Sequence, residues 1–152
     1  MTEDATMASA VTEPYLPAGL PGPEISDIDR RFWEGARDHR LLVQSCGRCG
    51  KTQWPPEEIC SQCHSVDRQW VAASGRATVF SWTRCWYAVH PSLQGRLPYI
   101  VVVVKLDDFP ALMIGNLLGD AEQAVEIGMS AEVVFEERAD GQTLVQWRLA
   151  KT

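Results

Sequence analysis

Short apolar stretches separated by polar turns dominate the second half of the chain. Alternation and β-branched content predict five strands there, over residues 76–87, 99–106, 111–118, 131–136 and 144–149. Asp107-Asp108 and Asp140-Gly141 mark hairpin turns, and residues 120–127 predict a short helix between the third and fourth strands. This order is that of an OB-fold, a small Greek-key barrel.

The first half of the chain has a different pattern. Residues 1–25 contain four prolines and no periodicity, which predicts a disordered or partner-ordered arm. Ile28, Phe32 and Ala36 then recur at helical spacing, with Ser26 as the predicted N-cap. The helix is short, so it needs another surface to pack against, in this chain or in another protein. The predicted order is an arm (1–25), a docking helix with a short strand (26–45), a cysteine module (46–73) and the barrel (74–152).

Two Cys-x-x-Cys pairs lie ten residues apart, Cys46/Cys49 and Cys60/Cys63. Two such turns bring four thiolates onto one ion, which is the donor set and geometry of a zinc site. The short gap favours a rubredoxin-like ribbon, in which iron could occupy the same thiolates. Four cysteine ligands leave no open position, so we expect a structural metal and not a catalytic one.

Charge and the character of the N-terminus bear on compartment and ligand. The first 25 residues contain no Lys or Arg and no apolar run, so we expect a cytoplasmic protein, where paired cysteines favour metal over disulfides. The formal charge is −6, yet residues 68–106 contain no acidic residue and five cations, Arg68, Arg76, Arg84, Arg96 and Lys105. Such a segment on an acidic protein suits a compact anionic ligand better than a long polyanion. Solvated surface explains it equally well.

No catalytic motif is recognisable in the sequence. Cys85, the fifth cysteine, lies five residues before His90; a Cys–His nucleophile is one interpretation, and a small buried strand residue is the favoured one. Glu136-Glu137 lies at a strand end, where solvated surface is the expected role. One face of the first strand is expected to carry cations interleaved with aromatics, as nucleotides and single-stranded nucleic acids require: Arg76, Phe80, Trp82, Arg84 and Trp86, followed by Tyr87 and His90. For Phe80 and Trp82, core packing is the favoured explanation.

Several motifs occur in a distinctive order along the chain. They are Phe32-Trp33-Glu34-Gly35, Leu41-Leu42-Val43-Gln44, the cysteine pairs around Trp54-Pro55-Pro56, Gly75-Arg76-Ala77-Thr78-Val79-Phe80-Ser81, Pro98-Tyr99-Ile100-Val101, Gly115-Asn116-Leu117 and Ile127-Gly128-Met129. From about residue 28 to the end, the chain resembles the acyl-CoA-associated zinc-ribbon/OB-fold protein family. It departs from that family at His64, where members commonly carry Gly after the second cysteine pair.

The resemblance implies a role that the residues alone do not. Members are accessory subunits of thiolase-like acyltransferases, sterol side-chain aldolases of the lipid-transfer thiolase type, or hydratase complexes. It implies that the helix and ribbon dock on a catalytic subunit, which we expect to involve Phe32, Trp33 and Trp54. It also implies that the barrel helps close the channel for a CoA thioester, for which the expected contacts are Arg84, Trp86, Tyr87, His90 and Asn116.

Two hypotheses follow. The first is a subunit that is not catalytic alone and acts in a hetero-oligomer on CoA thioesters of fatty, aromatic or sterol acids. The second is an OB-fold/zinc-ribbon protein that binds single-stranded nucleic acid through Arg84 and Trp86. The net acidity of the chain ranks the second hypothesis below the first.

Overall fold

The computed structural model describes residues 9–11 and 14–151. These residues form one α-helix, α1 (Arg30–Arg37), one 3-10 turn (Pro91–Leu93) and nine strands. The strands are β1 (Ser9–Val11), β2 (Leu42–Cys46), β3 (Thr52–Gln53), β4 (Arg68–Ala72), β5 (Arg76–Cys85), β6 (Tyr99–Leu106), β7 (Leu112–Asn116), β8 (Ser130–Glu137) and β9 (Thr143–Leu149). No helix within the described ranges is long and apolar enough to cross a membrane.

Strands β5 to β9 form a nearly closed five-stranded barrel. β5 pairs antiparallel with β6 and β8, β6 pairs with β7, and β8 pairs with β9. A parallel bridge between Leu117 and Trp147 brings the ends of the sheet together. Trp147 is fully buried among the inward-facing apolar side chains. The predicted class, a mainly β chain with an N-terminal helix, a cysteine ribbon and an OB-fold barrel, is confirmed.

A second sheet and the helix extend the barrel core. β2 pairs antiparallel with β3 and β4 to form the ribbon sheet. Phe32 and Ala36 of α1 are buried in the same apolar cluster as the barrel interior. The helix therefore has its packing surface within this chain. It begins later than predicted, because the Ser26 N–H and hydroxyl donate to Asp29 Oδ1 and form a turn that precedes the helix.

A β-bulge in β5 overturns the prediction of one continuous cation–aromatic face. Val79 lies opposite Val104, whereas Ser81 lies opposite Val103, so Phe80 is an extra residue in the strand. The bulge changes the alternation: Phe80 is 52% exposed, whereas Trp82 packs against the core. The predicted face is therefore divided: its residues before the bulge and its residues after it point to opposite faces of the sheet.

The segment 120–127 is not helical, contrary to prediction; it forms turns. The Arg84 guanidinium donates from Nε to the carbonyl oxygen of Ala121 and from Nη2 to that of Gln123, at 2.8 Å each. These carbonyls are thus satisfied by a strand side chain and not by a helical backbone.

Part of the segment predicted as a disordered or partner-ordered arm contacts the barrel, within the residues that the structure describes. β1 pairs in parallel with β8. The Leu16 N–H donates to Glu136 Oε2 at 3.0 Å, and Arg138 Nη2 donates to the carbonyl of Leu20 at 2.5 Å. Side chains of the β8–β9 hairpin thus satisfy backbone groups of a segment that has no periodicity of its own. The rest of the predicted arm, residues 1–8 and 12–13, lies outside the described residues.

Candidate metal centre and the surfaces around it

Four cysteine sulfurs converge at one end of the ribbon sheet. The Sγ atoms of Cys46 and Cys63 are 3.5 Å apart, and those of Cys49 and Cys60 are 3.6 Å apart. All four sulfurs lie within 4.8 Å of one another. Tetrahedral zinc with Zn–S bonds of about 2.3 Å requires sulfur–sulfur separations of about 3.8 Å. The donor set and its spacing therefore fit a single tetrahedral metal ion.

Two equivalent turns deliver these sulfurs. The Gly50 N–H donates to the Cys46 carbonyl at 2.8 Å, and the His64 N–H donates to the Cys60 carbonyl at 2.9 Å. Both residues after the pairs have positive φ, 73° at Gly50 and 58° at His64. The departure from the family pattern at His64 thus leaves the geometry of the second turn unchanged.

Backbone N–H groups stabilise the thiolate form of the first cysteine in each turn. The N–H of Cys49 is the largest influence on Cys46 and lowers the pKa of that thiol to about 6. The N–H of Cys63 acts in the same way at Cys60 and lowers its pKa. In addition, the Arg48 N–H lies 3.4 Å from Cys46 Sγ. The turns therefore favour the deprotonated, metal-binding form of Cys46 and Cys60. At Cys49, the Lys51 N–H lowers the pKa, but desolvation and the neighbouring thiols outweigh it and raise the pKa to about 11.

The three residues predicted to contact a partner lie close together, but Phe32 is used inside the chain. Phe32 is only 4% exposed and is in edge-to-face contact with Trp33, at a centroid distance of 4.9 Å. Trp54 lies 6.0 Å from Phe32 on the ribbon side. Trp33 and Trp54 are half-buried, and the buried Trp54 Nε1 has no hydrogen-bond partner among the described residues.

A groove of about 340 Å³ lies beside α1, between the helix and the turn of the β8–β9 hairpin. Trp33 and Ile25 supply apolar lining, and four charged side chains surround them, namely Arg30, Glu34, Arg37 and Asp140. Trp33 Nε1 donates to Asp29 Oδ2 at 3.0 Å, which fixes the indole at the groove.

Two of the residues predicted to contact CoA are engaged by the chain itself. Arg84 binds the carbonyls of the 120–127 segment, as described above, and its guanidinium lies 5.3 Å from the centre of the Trp82 ring. Asn116 Nδ2 donates to the carbonyl of Ile100, and its N–H donates to Gln146 Oε1 at 2.6 Å. Both side chains therefore have structural contacts that the sequence did not indicate.

The other three predicted contacts lie on the loop that follows β5. Trp86 and Tyr87 are 63% and 77% exposed. The His90 ring is half-buried, and its Nδ1 lies 2.7 Å from Ser92 Oγ. Cys85 lies opposite Tyr99 on the neighbouring strand, not beside His90, and so the described contacts do not form a Cys–His pair.

Glu136 is the residue that sequence reasoning misjudged most. Instead of lying on solvated surface, its carboxylate is fully buried. It accepts from the Leu16 N–H and from Gln146 Nε2, each at 3.0 Å. Gln146 also links it to Asn116. Gln146, a polar residue in the middle of the predicted strand 144–149, was a sequence signal for this network.

Fold and site together define a zinc-ribbon/OB-fold protein. One family model, described as the rubredoxin-like zinc ribbon domain of ChsH2, matches residues 33–67, and a second, the C-terminal OB-fold domain of ChsH2, matches residues 70–136. The solved structure of the Ltp2-ChsH2(DUF35) aldolase contains a chain that is 31% identical, with a TM-score of 0.77, over 86% of this chain and all of that one. The protein belongs to the ChsH2 (DUF35) family.

Two curated relatives are longer proteins. A probable enoyl-CoA hydratase alpha subunit of Thermomonospora curvata is 34% identical over 91% of this chain and 43% of its own length. The 3-oxo-4,17-pregnadiene-20-carboxyl-CoA hydratase alpha subunit of Mycobacterium tuberculosis is 31% identical over 87% of this chain and 41% of its own. The chain thus spans about two-fifths of these relatives. A DUF35 protein of Sulfolobus solfataricus, 14% identical with a TM-score of 0.58 over 82% of this chain and 87% of its own, shares the fold.

Proposed function

We propose that this protein is a non-catalytic accessory subunit of a hydratase, an aldolase or a related thiolase-type enzyme that acts on CoA thioesters. One observation carries the proposal: the chain matches the whole of a DUF35 chain whose solved structure is an aldolase complex with Ltp2. Both longer relatives are named as alpha subunits of CoA-thioester hydratases. Sterol or other large acyl groups are the substrate class that these names favour.

The chemistry of the described residues is consistent with a supporting role. The cysteine cluster has four protein donors and leaves no ligand position for a substrate. We propose zinc as the metal, with iron as the alternative for the same thiolates. When bound, the ion cross-links the two turns and holds the ribbon together. The reacting groups would then come from the catalytic subunit.

Docking is proposed through the surface that α1 and the ribbon share. Trp33 and Trp54 lie at this surface, and each packs near the buried Phe32. Half-buried tryptophans with rigid surroundings are typical of interface residues. The charged rim of the adjacent groove would fix the orientation of the partner.

The barrel is proposed to close the CoA channel with the loop after β5. Trp86 and Tyr87 are exposed on this loop, and the half-buried His90 ring, engaged through Nδ1 by Ser92, follows them. Arg84 and Asn116 would contribute by holding backbone carbonyls of neighbouring segments. The nucleic-acid hypothesis has less support, because the bulge in β5 divides the cation–aromatic face on which it depended.

The test is to purify the tagged chain gently from its source cell and to identify stoichiometric partners by mass spectrometry. We expect a hydratase, aldolase or thiolase-like protein whose activity on a CoA thioester is low alone and restored by adding the chain. A Cys46→Ser/Cys60→Ser variant should neither bind nor restore activity. Recovery of the chain alone, or a partner fully active without it, would refute the proposal.

A further inference from the structure

The loop after β5 exposes three large apolar side chains within four consecutive positions. Trp86 is 63% exposed, Tyr87 is 77% exposed and Val89 is 72% exposed. We refer to these three residues as the apolar tip. Large apolar side chains that are exposed close together mark interaction sites, and tryptophan and tyrosine are among the residues that most often dominate binding energy there.

Both ends of the apolar tip are fixed by the fold. On one side, Cys85 pairs with Tyr99 in the sheet and Arg84 is held by two backbone carbonyls. On the other side, the His90 ring accepts the Ser92 N–H and caps the 3-10 turn. Leu93, at the end of that turn, is buried. A side chain presented from fixed anchors loses less conformational entropy on binding than one on a mobile loop.

The lack of charge along the tip argues against its direct contact with phosphate groups. Residues 85–95 contain no Lys, Arg, Asp or Glu. Of the nearest arginines along the chain, Arg84 donates to two carbonyls, and the exposed Arg96 donates from Nη1 to the carbonyl of Tyr15 at 3.3 Å. An uncharged apolar tip is complementary to an uncharged apolar cavity.

We propose that the apolar tip inserts into an uncharged apolar pocket on the catalytic subunit, as an anchor separate from the α1–ribbon surface. This inference rests on the proposed function and says how the barrel would close the channel. The groove beside α1 on a second copy of this chain is a poor receptor, since four of its lining side chains are charged. A phosphate-bearing ligand would meet no free cation within the tip.

The experiment compares tagged wild-type chain with a Trp86→Ala/Tyr87→Ala variant and with an Ile127→Ala control. Ile127 is 72% exposed on another loop and therefore matches the tip in exposure. Circular dichroism and metal content verify that each variant is folded. We expect the tip variant to recover at least tenfold less of the identified catalytic subunit than the wild type, and Ile127→Ala to recover as much.

The contact itself is tested by placing the photocrosslinker p-benzoylphenylalanine at position 86. Crosslinks to apolar segments of the catalytic subunit support the inference. Full recovery of that subunit by the tip variant overturns the inference but leaves the proposed function intact, as do crosslinks only between two copies of this chain. If the wild-type chain brings down no catalytic subunit, the proposed function fails and the inference fails with it.

Discussion

Gly50 and His64 occupy equivalent positions in the two cysteine turns. Each follows the second cysteine of its pair, each donates its N–H to the carbonyl of the first, and each has a positive φ. A left-handed conformation costs a residue with a side chain about 1 kcal/mol relative to glycine. The second turn therefore bears a strain that the first avoids.

Replacing His64 by glycine should relieve that strain. We expect His64→Gly to stabilise the metal-loaded protein by up to about 1 kcal/mol, reduced by the added freedom of glycine in the unfolded chain. The reciprocal Gly50→Ala should destabilise the protein by about 1 kcal/mol, because alanine would have to adopt the left-handed backbone conformation. The added Cβ would meet no atom within 4 Å, so a steric clash does not contribute to this cost. Chemical denaturation of both variants measures the effects; destabilisation by His64→Gly would mean that the imidazole has a role of its own.

The cysteine cluster should bind one metal ion and depend on it for the folding of the ribbon. Cys46→Ser replaces a ligand, so we expect loss of the bound ion, measured by elemental mass spectrometry, together with faster amide exchange in residues 42–72. Cys85→Ser is the matched control, since Cys85 lies on the barrel away from the cluster, and it should retain the ion. Equal metal content in the two variants would contradict the assignment.

The sequence was most informative where chemistry depends on neighbouring residues. The spacing of Cys46, Cys49, Cys60 and Cys63 is local, and two tight turns suffice to bring four sulfurs together. The five barrel strands and their order could be predicted for a similar reason, because alternation and turn residues are local signals. Their observed first residues differ from prediction by at most one position and their last residues by at most two.

The sequence was least informative where a contact joins distant segments. The bulge at Phe80 changes which side chains share a face of the sheet, and the local sequence contains no turn residue that would predict it. The burial of Glu136 depends on Leu16, which lies 120 positions earlier, and on Gln146 of the next strand. Residues 120–127 do not form the predicted helix, and two of their carbonyls accept hydrogen bonds from Arg84, which lies 37 and 39 positions earlier in the chain.

The contacts of Arg84 predict a stabilising role that does not require a ligand. Arg84→Gln removes two hydrogen bonds from a charged donor, so we expect a loss of about 2 kcal/mol in unfolding free energy and a fall of about 4–8 °C in Tm. The exposed Arg37→Gln is the control and should change Tm little. Thermal unfolding of the chain alone checks the prediction; an unchanged Tm for Arg84→Gln would return this side chain to the set of candidate ligand contacts.

The buried network of Glu136, Gln146 and Asn116 should show energetic coupling. Gln146→Ala leaves the Glu136 carboxylate with one fewer donor, for which we expect a cost of about 1–3 kcal/mol. Removing both polar groups in Glu136→Leu/Gln146→Leu should cost less than the sum of the two single leucine changes, because no unpaired carboxylate remains. Denaturant titrations of the four proteins in this cycle measure the coupling, and strictly additive effects would show that the two side chains are independent.

Tyr15 should make the contact between the arm and the barrel sensitive to alkaline pH. Burial raises the pKa of the Tyr15 phenol; a hydrogen bond with the Ile100 backbone opposes this, and the Glu136 carboxylate adds to it. The folded-state pKa then lies above the unfolded value of about 10. The stability that Tyr15 contributes is therefore complete below pH 10 and is lost as the pH rises through the folded-state pKa.

The measurement is the unfolding free energy of the wild type and of Tyr15→Phe from pH 8 to 11. We expect the two values to converge or cross only above pH 10. In the wild type, exchange of the Leu16 amide should also speed up above pH 10 by more than the intrinsic pH dependence of amide exchange. A difference between the two proteins that stays constant over this range would show that the phenol is not buried against the barrel.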